Sequence, residues 1–244
     1  MSEHYNEAIA RHYAAYRPPI HALILQQQFA DSAPFSHAVD IGCGTGLSAI
    51  ALTPYCDKIH GIEPSQAMID QATSHPKVIY RQGHGESIPL ESNSVDLVTF
   101  AGSLYYAKSD TLIRELCRVC HPDALILVYD FEVLLDPILD SLGLRIVRGE
   151  SGYDHAINFS DCPELGERSR EETTLPLTMS SPQLAHVLLS SNRRFSVIAE
   201  WLNQNDPFEG LVAALNDIAQ VHTIRIDTYQ SLYHVNKSSA TCQR

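Results

Sequence analysis

Val39-Asp40-Ile41-Gly42-Cys43-Gly44-Thr45-Gly46-Leu47 decides how this chain folds. An apolar run enters three glycines at alternate positions and leaves into Leu47–Leu52, which reads as a helix closed by Thr53-Pro54. Glycine tolerates positive φ and carries no Cβ, so ligand atoms can approach the backbone closely where a helix begins. Glu63 lies 17 residues beyond Gly46 and closes a second apolar run, Ile59-His60-Gly61-Ile62-Glu63. An acid at such a strand end can accept bonds from both hydroxyls of a ribose. The order and spacing of turn and acid together predict a nucleoside site at the carboxyl ends of parallel strands.

Outward from this stretch the periods alternate. Strands are predicted at His37–Ile41, Lys58–Ile62, Lys77–Arg81, Val95–Phe100 and Ala124–Phe131, with helices at Leu47–Leu52, Gln66–Thr73 and Ser109–Val119 between them. Ser65 stands where a helix N-cap belongs. Strands separated by helices imply an α/β fold, a doubly wound and mostly parallel sheet. Before it, helices Ser2–Tyr16 and Ile20–Ala30 are broken by Arg17-Pro18-Pro19. After Phe131 the regularity fails. Glu132–Arg170 reads as an irregular insertion with one helix at Pro137–Val147. Glu172–Met179 reads as a strand, Ser181–Ser190 and Phe208–Ala219 as helices, Thr223–Val235 as one strand or a hairpin, and Asn236–Arg244 as a frayed end. The expected organisation is a helical lid at 1–35, an α/β core at 36–131, a cap at 132–220 and strands returning to the sheet at 221–244.

Of 244 residues, 44% are hydrophobic and 19% charged, and the net charge is −12. Such a chain can bury a sizeable core. Its acidic surplus works against a phosphate backbone, whose binding is driven by release of counterions to basic groups. No apolar stretch has the roughly 18–20 residues of a membrane helix. The opening MSEHYNEAIA lacks a basic start and an apolar core, so no secretory signal is read and a cytoplasmic, reducing compartment is expected. Nucleic acid and membrane are therefore excluded as expected partners, and the chain is expected to act as a monomer or homodimer on a small molecule without a metal. Cys117-Arg-Val-Cys120-His121 matches a haem-attachment spacing, but two cysteines three apart at the end of an apolar helix read better as small hydrophobes on one face.

The turn departs from the dinucleotide pattern Gly-x-Gly-x-x-Gly, because its third position is Leu47. It is instead acid-x-Gly-x-Gly-x-Gly, with Asp40 two residues before Gly42. An acid there suits a ligand bearing a cationic amine, as S-adenosylmethionine does.

The chain resembles the class I S-adenosylmethionine-dependent methyltransferases, nearest to the small-molecule group that includes trans-aconitate methyltransferase. The likeness runs through Tyr13-Ala-Ala-Tyr16-Arg17-Pro18, the glycine turn, Gly61-Ile62-Glu63-Pro64-Ser65, Gly85-Glu86-Ser87-Ile88-Pro89-Leu90, Ser94-Val95-Asp96-Leu97-Val98 and Arg114–Pro122. The resemblance implies that Gly42, Cys43, Gly44 and Gly46 border the methionine and ribose, with Asp40 near the amine. It places Glu63 on the ribose hydroxyls, Pro64 and Met68 against the adenine, and His84, Gly85 and Glu86 at the adenine edge. Ala101, Gly102 and Ser103 would flank the sulfonium, and Tyr13, Tyr16 and Arg17 would belong to a lid. Relatives often carry aspartate where this chain has His84, and histidine accepts from the adenine amine only in one tautomer.

The activity implied is methyl transfer to a small acceptor, with a carboxylate one candidate. Alignment of two reactants can supply roughly 7–11 kcal/mol, and a general base adds about 10²–10⁴-fold. Tyr105 and Tyr106, after the fourth strand, stand where acceptors are placed; Tyr105 and His155 are the candidate catalytic groups. Tyr153 and Asn158 are further polar candidates, and Trp201 reads as core. Two alternatives accompany this reading: a protein that binds S-adenosylmethionine or S-adenosylhomocysteine without catalysis, and a nucleic-acid methyltransferase. The latter is opposed by the acidic charge and by Ala101-Gly-Ser-Leu-Tyr105 where base-methylating enzymes carry Asn-Pro-Pro-Tyr.

Overall fold

The computed structural model describes residues 2–146 and 152–236. The chain runs through α1 (Ser2–Ala15), α2 (Ile20–Phe29), β1 (Phe35–Ile41), α3 (Leu47–Ala51), β2 (Cys56–Glu63), α4 (Gln66–Ile69), β3 (Val78–Gln82) and β4 (Val95–Ala101). It continues with α5 (Leu104–Ala107), α6 (Asp110–Val119), β5 (Cys120–Leu134), α7 (Asp136–Ser141), β6 (Leu165–Ser180), α8 (Ser181–Leu189), α9 (Asn192–Leu202), α10 (Phe208–Ile218) and β7 (Val221–Val235).

Seven strands form one sheet in the order β3-β2-β1-β4-β5-β7-β6. Strand β1 pairs in parallel with β2 and β4, β2 with β3, and β4 with β5. The strand order reverses between β1 and β4, and sheets of this kind bind ligands at that crevice, beyond the carboxyl ends of the strands. Ala38, Val39, Ile59, Leu97 and Val98 are wholly buried. Strands covered on both faces carry continuous apolar runs, which is why these segments do not alternate. On one face Leu112, Leu116 and Val119 of α6 join Val39, Ile41, Val98 and Phe100 in a single cluster, each burial stabilising the fold by about 1.5–3 kcal/mol. Helix α6 starts where Ser109 Oγ accepts from the Leu112 N–H at 3.1 Å, and its termini carry Asp110 and Arg118 in the order the helix dipole favours.

The described residues divide into two compact units. The larger comprises 19–131, 153–173 and 228–236 and contains β1–β4 and most of β5. The smaller comprises 2–18, 132–146, 152 and 174–227 and is mainly α1 and α7–α10. In the smaller unit α8 opens with a capping box in which the Ser180 N–H donates to Gln183 Oε1 at 2.9 Å. His12 of α1 is buried there, its Nδ1 2.9 Å from Nδ1 of His186, whose ring stacks on Phe208 at 4.5 Å.

Several segments differ from expectation. Helix α4 is one turn long, and the Ser65 side chain makes no cap bond. Helix α7 stops at Ser141; Val147, the predicted end, lies outside the described residues, as do 237–244. The stretch 223–235, read as one strand or a hairpin, is one strand, in agreement with the first of those two forms. Cys117 ends on α6 and Cys120 begins β5. Cys43, Cys56, Cys120 and Cys162 form no disulfide, whereas Cys117 is disulfide-bonded, where the sequence predicts reduced cysteines. Trp201 is 42% exposed and so is not a core residue. No helix among the described residues is long and apolar enough to cross a membrane.

Candidate functional site

In the larger unit a cleft of about 640 Å³ opens beyond β1, β2 and β4. This is the size of pocket that takes a nucleoside-sized ligand. Its lining includes Gly42, Gly44, Glu63, Pro64, Met68, His84, Gly85, Glu86, Ala101, Gly102 and Ser103, all predicted cofactor-site residues. Ile41, Ile62, Gly83, Tyr106, Ala107, Lys108 and Ser109 complete it. Asp40, Cys43 and Gly46 do not line the cleft, and Tyr13 and Arg17 belong to the other unit. There Arg17 lies over the ring of Tyr13, and burial pulls its guanidinium down to about 10.

The three glycines all adopt positive φ, at 70°, 55° and 86°, but for different reasons. A Cβ on Gly42 would stand 2.5 Å from Ser103 Cβ, and one on Gly46 would collide with the Tyr80 hydroxyl. Both positions are glycine because neighbouring protein fills the space. At Gly44 a Cβ would meet only Met68 Sδ at 3.8 Å. Of the three turn glycines, only Gly44 thus leaves open space where a Cβ would stand, whereas the sequence reading expects such space at all three.

Asp40 sits at the end of β1, level with Gly61 of β2 and Thr99 of β4. It is fully buried, and its two oxygens accept from the hydroxyls of Ser48 at 2.5 Å and Thr99 at 2.8 Å. Burial pushes its carboxyl up to about 6, partly offset by those hydroxyl bonds. Asp40 ties β1, β4 and the start of α3 together beneath the turn. Cys43 lies just above it, and burial raises its thiol well beyond the usual range, so it is no nucleophile.

Glu63 is 8% exposed at the end of β2. Its Oε2 accepts from the Gly44 N–H and its Oε1 from the Ser65 N–H, both at 3.0 Å. A carboxylate offers about four acceptor positions, so two remain beyond these backbone bonds. The wall opposite is the segment 83–90. Arg118 of α6 donates to the carbonyls of Ile88 and Leu90 at 2.8 and 2.7 Å and pairs with Glu115, which accepts from the Ile88 N–H at 2.8 Å. Ser109 donates to Glu86 at 2.7 Å across the same wall. Arg118 belongs to a quoted motif, but its part in holding this loop is visible only in three dimensions.

Of the catalytic candidates, neither Tyr105 nor His155 lines the cleft; Tyr106 does, with its ring 5.3 Å from that of Tyr105. His155 Nδ1 is 3.0 Å from Asp130 Oδ2. The Asn158 side-chain amide donates to the Ala156 carbonyl, and the Asn158 backbone carbonyl accepts from the Lys108 ammonium, both at 2.8 Å.

A methyltransferase domain family matches residues 39–128, the segment that carries the glycine turn, Glu63, the 83–90 wall and Ala101–Ser103. A candidate methyltransferase of Dictyostelium discoideum is 40% identical over 85 residues, covering 32% of this chain and 32% of its own length. The uncharacterized methyltransferase YcgJ of Bacillus subtilis is 30% identical over 109 residues, covering 42% of this chain and 43% of its own. The chain thus spans well under half the length of these curated relatives. The structure of a candidate type II methyltransferase from Anaeromyxobacter dehalogenans superposes with a TM-score of 0.61 at 21% identity, over 89% of this chain and 97% of that one, and so shares the fold. The matched segment carries every residue that lines the cleft, and across it the chain is similar to the methyltransferase domain family.

Proposed function

We propose that this chain transfers a methyl group from S-adenosylmethionine to a small-molecule acceptor. The observation that carries the reading is the pairing of Glu63 with Gly44. The carboxylate is fixed by two backbone N–H groups and keeps acceptor positions at the cleft, beside the one glycine whose missing side chain leaves open space. That cradle fits an adenosyl ligand: Glu63 for the ribose diol, Pro64 and Met68 for one face of the adenine, and His84–Glu86 for its edge. Gly44 and Ala101–Ser103 would border the methionine and its sulfonium.

When bound, the cofactor supplies a methyl already activated for in-line displacement. The protein's contribution is then to align the acceptor and exclude water. Tyr106, 78% exposed, lines the cleft together with Gly102, and its ring would serve a cation or a planar acceptor. Lys108, the cation of the cleft lining, is held by Asp161 at 2.6 Å. The −12 charge supports a small molecule over a nucleic acid as acceptor.

Calorimetry with the intact chain, followed by a methyl-label screen over phenols, alcohols, carboxylates and amines, tests the proposal. Cofactor binding with label transfer to one class is the expected result. Cofactor binding without transfer in any class would favour a binding protein, and salt-sensitive capture of RNA or DNA would favour the nucleic-acid alternative.

A further inference from the structure

We infer that His155, held by Asp130 and Tyr153, removes the proton of the acceptor, which makes that acceptor a phenol or another hydroxyl compound. The inference rests on the methyl transfer proposed above and names its substrate class.

Two stretches of the larger unit meet at one carboxylate oxygen, Asp130 from one and Tyr153 with His155 from the other. Asp130 lies on β5, and its Oδ1 is fixed by the Phe131 N–H at 2.7 Å. Its Oδ2 faces the Tyr153 hydroxyl at 2.8 Å and Nδ1 of His155 at 3.0 Å. The same Tyr153 hydroxyl is 2.7 Å from the carbonyl of Gly102, a residue of the cleft wall. The cluster is therefore anchored to the strand end that borders the sulfonium position.

The proton positions follow from donor chemistry. An ionised carboxylate only accepts, so His155 must present Nδ1–H to it, and in the neutral ring that leaves Nε2 unprotonated. Burial and the Asp130 bond raise the Tyr153 phenol well above its ordinary range. Tyr153 thus remains a neutral donor, orienting Asp130 without competing as a base. The His155 ring is set edge-on to Tyr153 at 4.8 Å and stacked on Tyr229 at 5.9 Å, while its side chain stays one-third exposed. Rings of Tyr105 and Tyr106 lie 4.8 and 5.8 Å from that of Tyr153. They form an aromatic cluster of which Tyr106 lines the cleft, suited to a flat acceptor. Asp130 and Asp154 beside it disfavour an anionic one.

In the proposed step the acceptor O–H bond breaks and its proton passes to His155 Nε2. The oxygen forms the new bond to the methyl carbon, and the methyl–sulfur bond breaks with its electron pair left on sulfur as a neutral thioether. The imidazolium, facing ionised Asp130, later releases its proton to water.

Two measurements on the full chain test this. In long-range proton–nitrogen NMR of the protein saturated with S-adenosylhomocysteine, His155 is expected as the Nδ1–H tautomer, moving toward Nε2–H in Asp130→Asn. A dominant Nε2–H form in the unaltered protein overturns the inference whether or not an acceptor has been found. With an acceptor from the label screen, His155→Gln is expected to lower kcat about 10²–10⁴-fold with little change in KM and to remove the acid limb of the kcat profile. Tyr153→Phe should lower kcat less and keep that limb. Unchanged kcat and pH profile in His155→Gln, or transfer confined to carboxylates, overturns the base role and leaves methyl transfer standing. Failure of the unaltered chain to bind the cofactor overturns both.

Discussion

Substituting two glycines of one turn separates protein packing from ligand space. Gly42 and Gly44 both hold positive φ, 70° and 55°, so alanine at either costs about 1–2 kcal/mol of backbone strain. At Gly42 the new methyl would also stand 2.5 Å from Ser103 Cβ. Ser103 cannot retreat without breaking its hydroxyl bond to the Ile41 carbonyl. Overpacking of this kind adds roughly 1–3 kcal/mol, so Gly42→Ala should lose about 2–5 kcal/mol of stability. Gly44→Ala should lose only the strain, because Met68 Sδ at 3.8 Å is an ordinary contact. Its effect should appear in cofactor affinity, at least tenfold weaker. Gly44→Asn, a residue that tolerates this conformation, should block the cofactor at even less cost to the fold. Urea unfolding of the ligand-free variants and calorimetry with S-adenosylmethionine check the contrast. Equal destabilisation at the two positions, or unaltered affinity in Gly44→Asn, would refute the division of roles.

Much of the scaffold was legible because it rests on local pattern. The run Val39–Leu47 needs its turn wherever it occurs, and the apolar stripe of Leu112, Ile113, Leu116 and Val119 fixes α6. Segments held by tertiary contacts were not legible. Helix α5 is four residues long, too short for a period to show, and α9 begins Asn192-Arg193-Arg194 and buries only Phe195 and Ile198. His121-Pro122-Asp123 reads as a break, yet its residues are exposed and β5 runs through them. At the cleft, the place of Glu63 at a strand end was legible from spacing, but the Ser48 and Thr99 hydroxyls on Asp40 come from other elements. The meeting of Gly102, Asp130 and Tyr153 likewise depends on strand order, which no spacing reveals.

Asp40 makes stability fall with rising pH. Its carboxyl moves from 3.8 to about 6 on folding, so the folded state holds a proton that the unfolded state has lost, and the stabilisation present below pH 3.8 disappears as pH passes 6. Asp40→Asn should remove this dependence, worth on the order of 3 kcal/mol, as read by urea midpoints from pH 4 to 7; an unchanged slope would count against it. His12 and His186 act in the opposite sense. Burial lowers both, so they favour folding above the ordinary imidazole value of 6.5 and lose that contribution as pH falls. His186→Phe should flatten the acid side of the melting profile, and a variant that melts in parallel with the parent would contradict this. Arg118→Met should cost about 1–2 kcal/mol, because it strands the Ile88 and Leu90 carbonyls and Glu115 in a half-exposed setting. It should also weaken cofactor binding through the 83–90 wall, and unaltered stability and affinity together would show that the loop holds without it.

The most direct measurement is a calorimetric titration of S-adenosylmethionine into the parent chain and into Glu63→Ala. The parent should bind one equivalent, and the variant should bind about 10–100-fold more weakly, the loss of 1.5–3 kcal/mol expected when a charged acceptor is withdrawn from hydroxyl donors. Equal affinity in the two proteins, or no heat from the parent, would contradict the placement of the adenosyl group between Gly44 and Glu63.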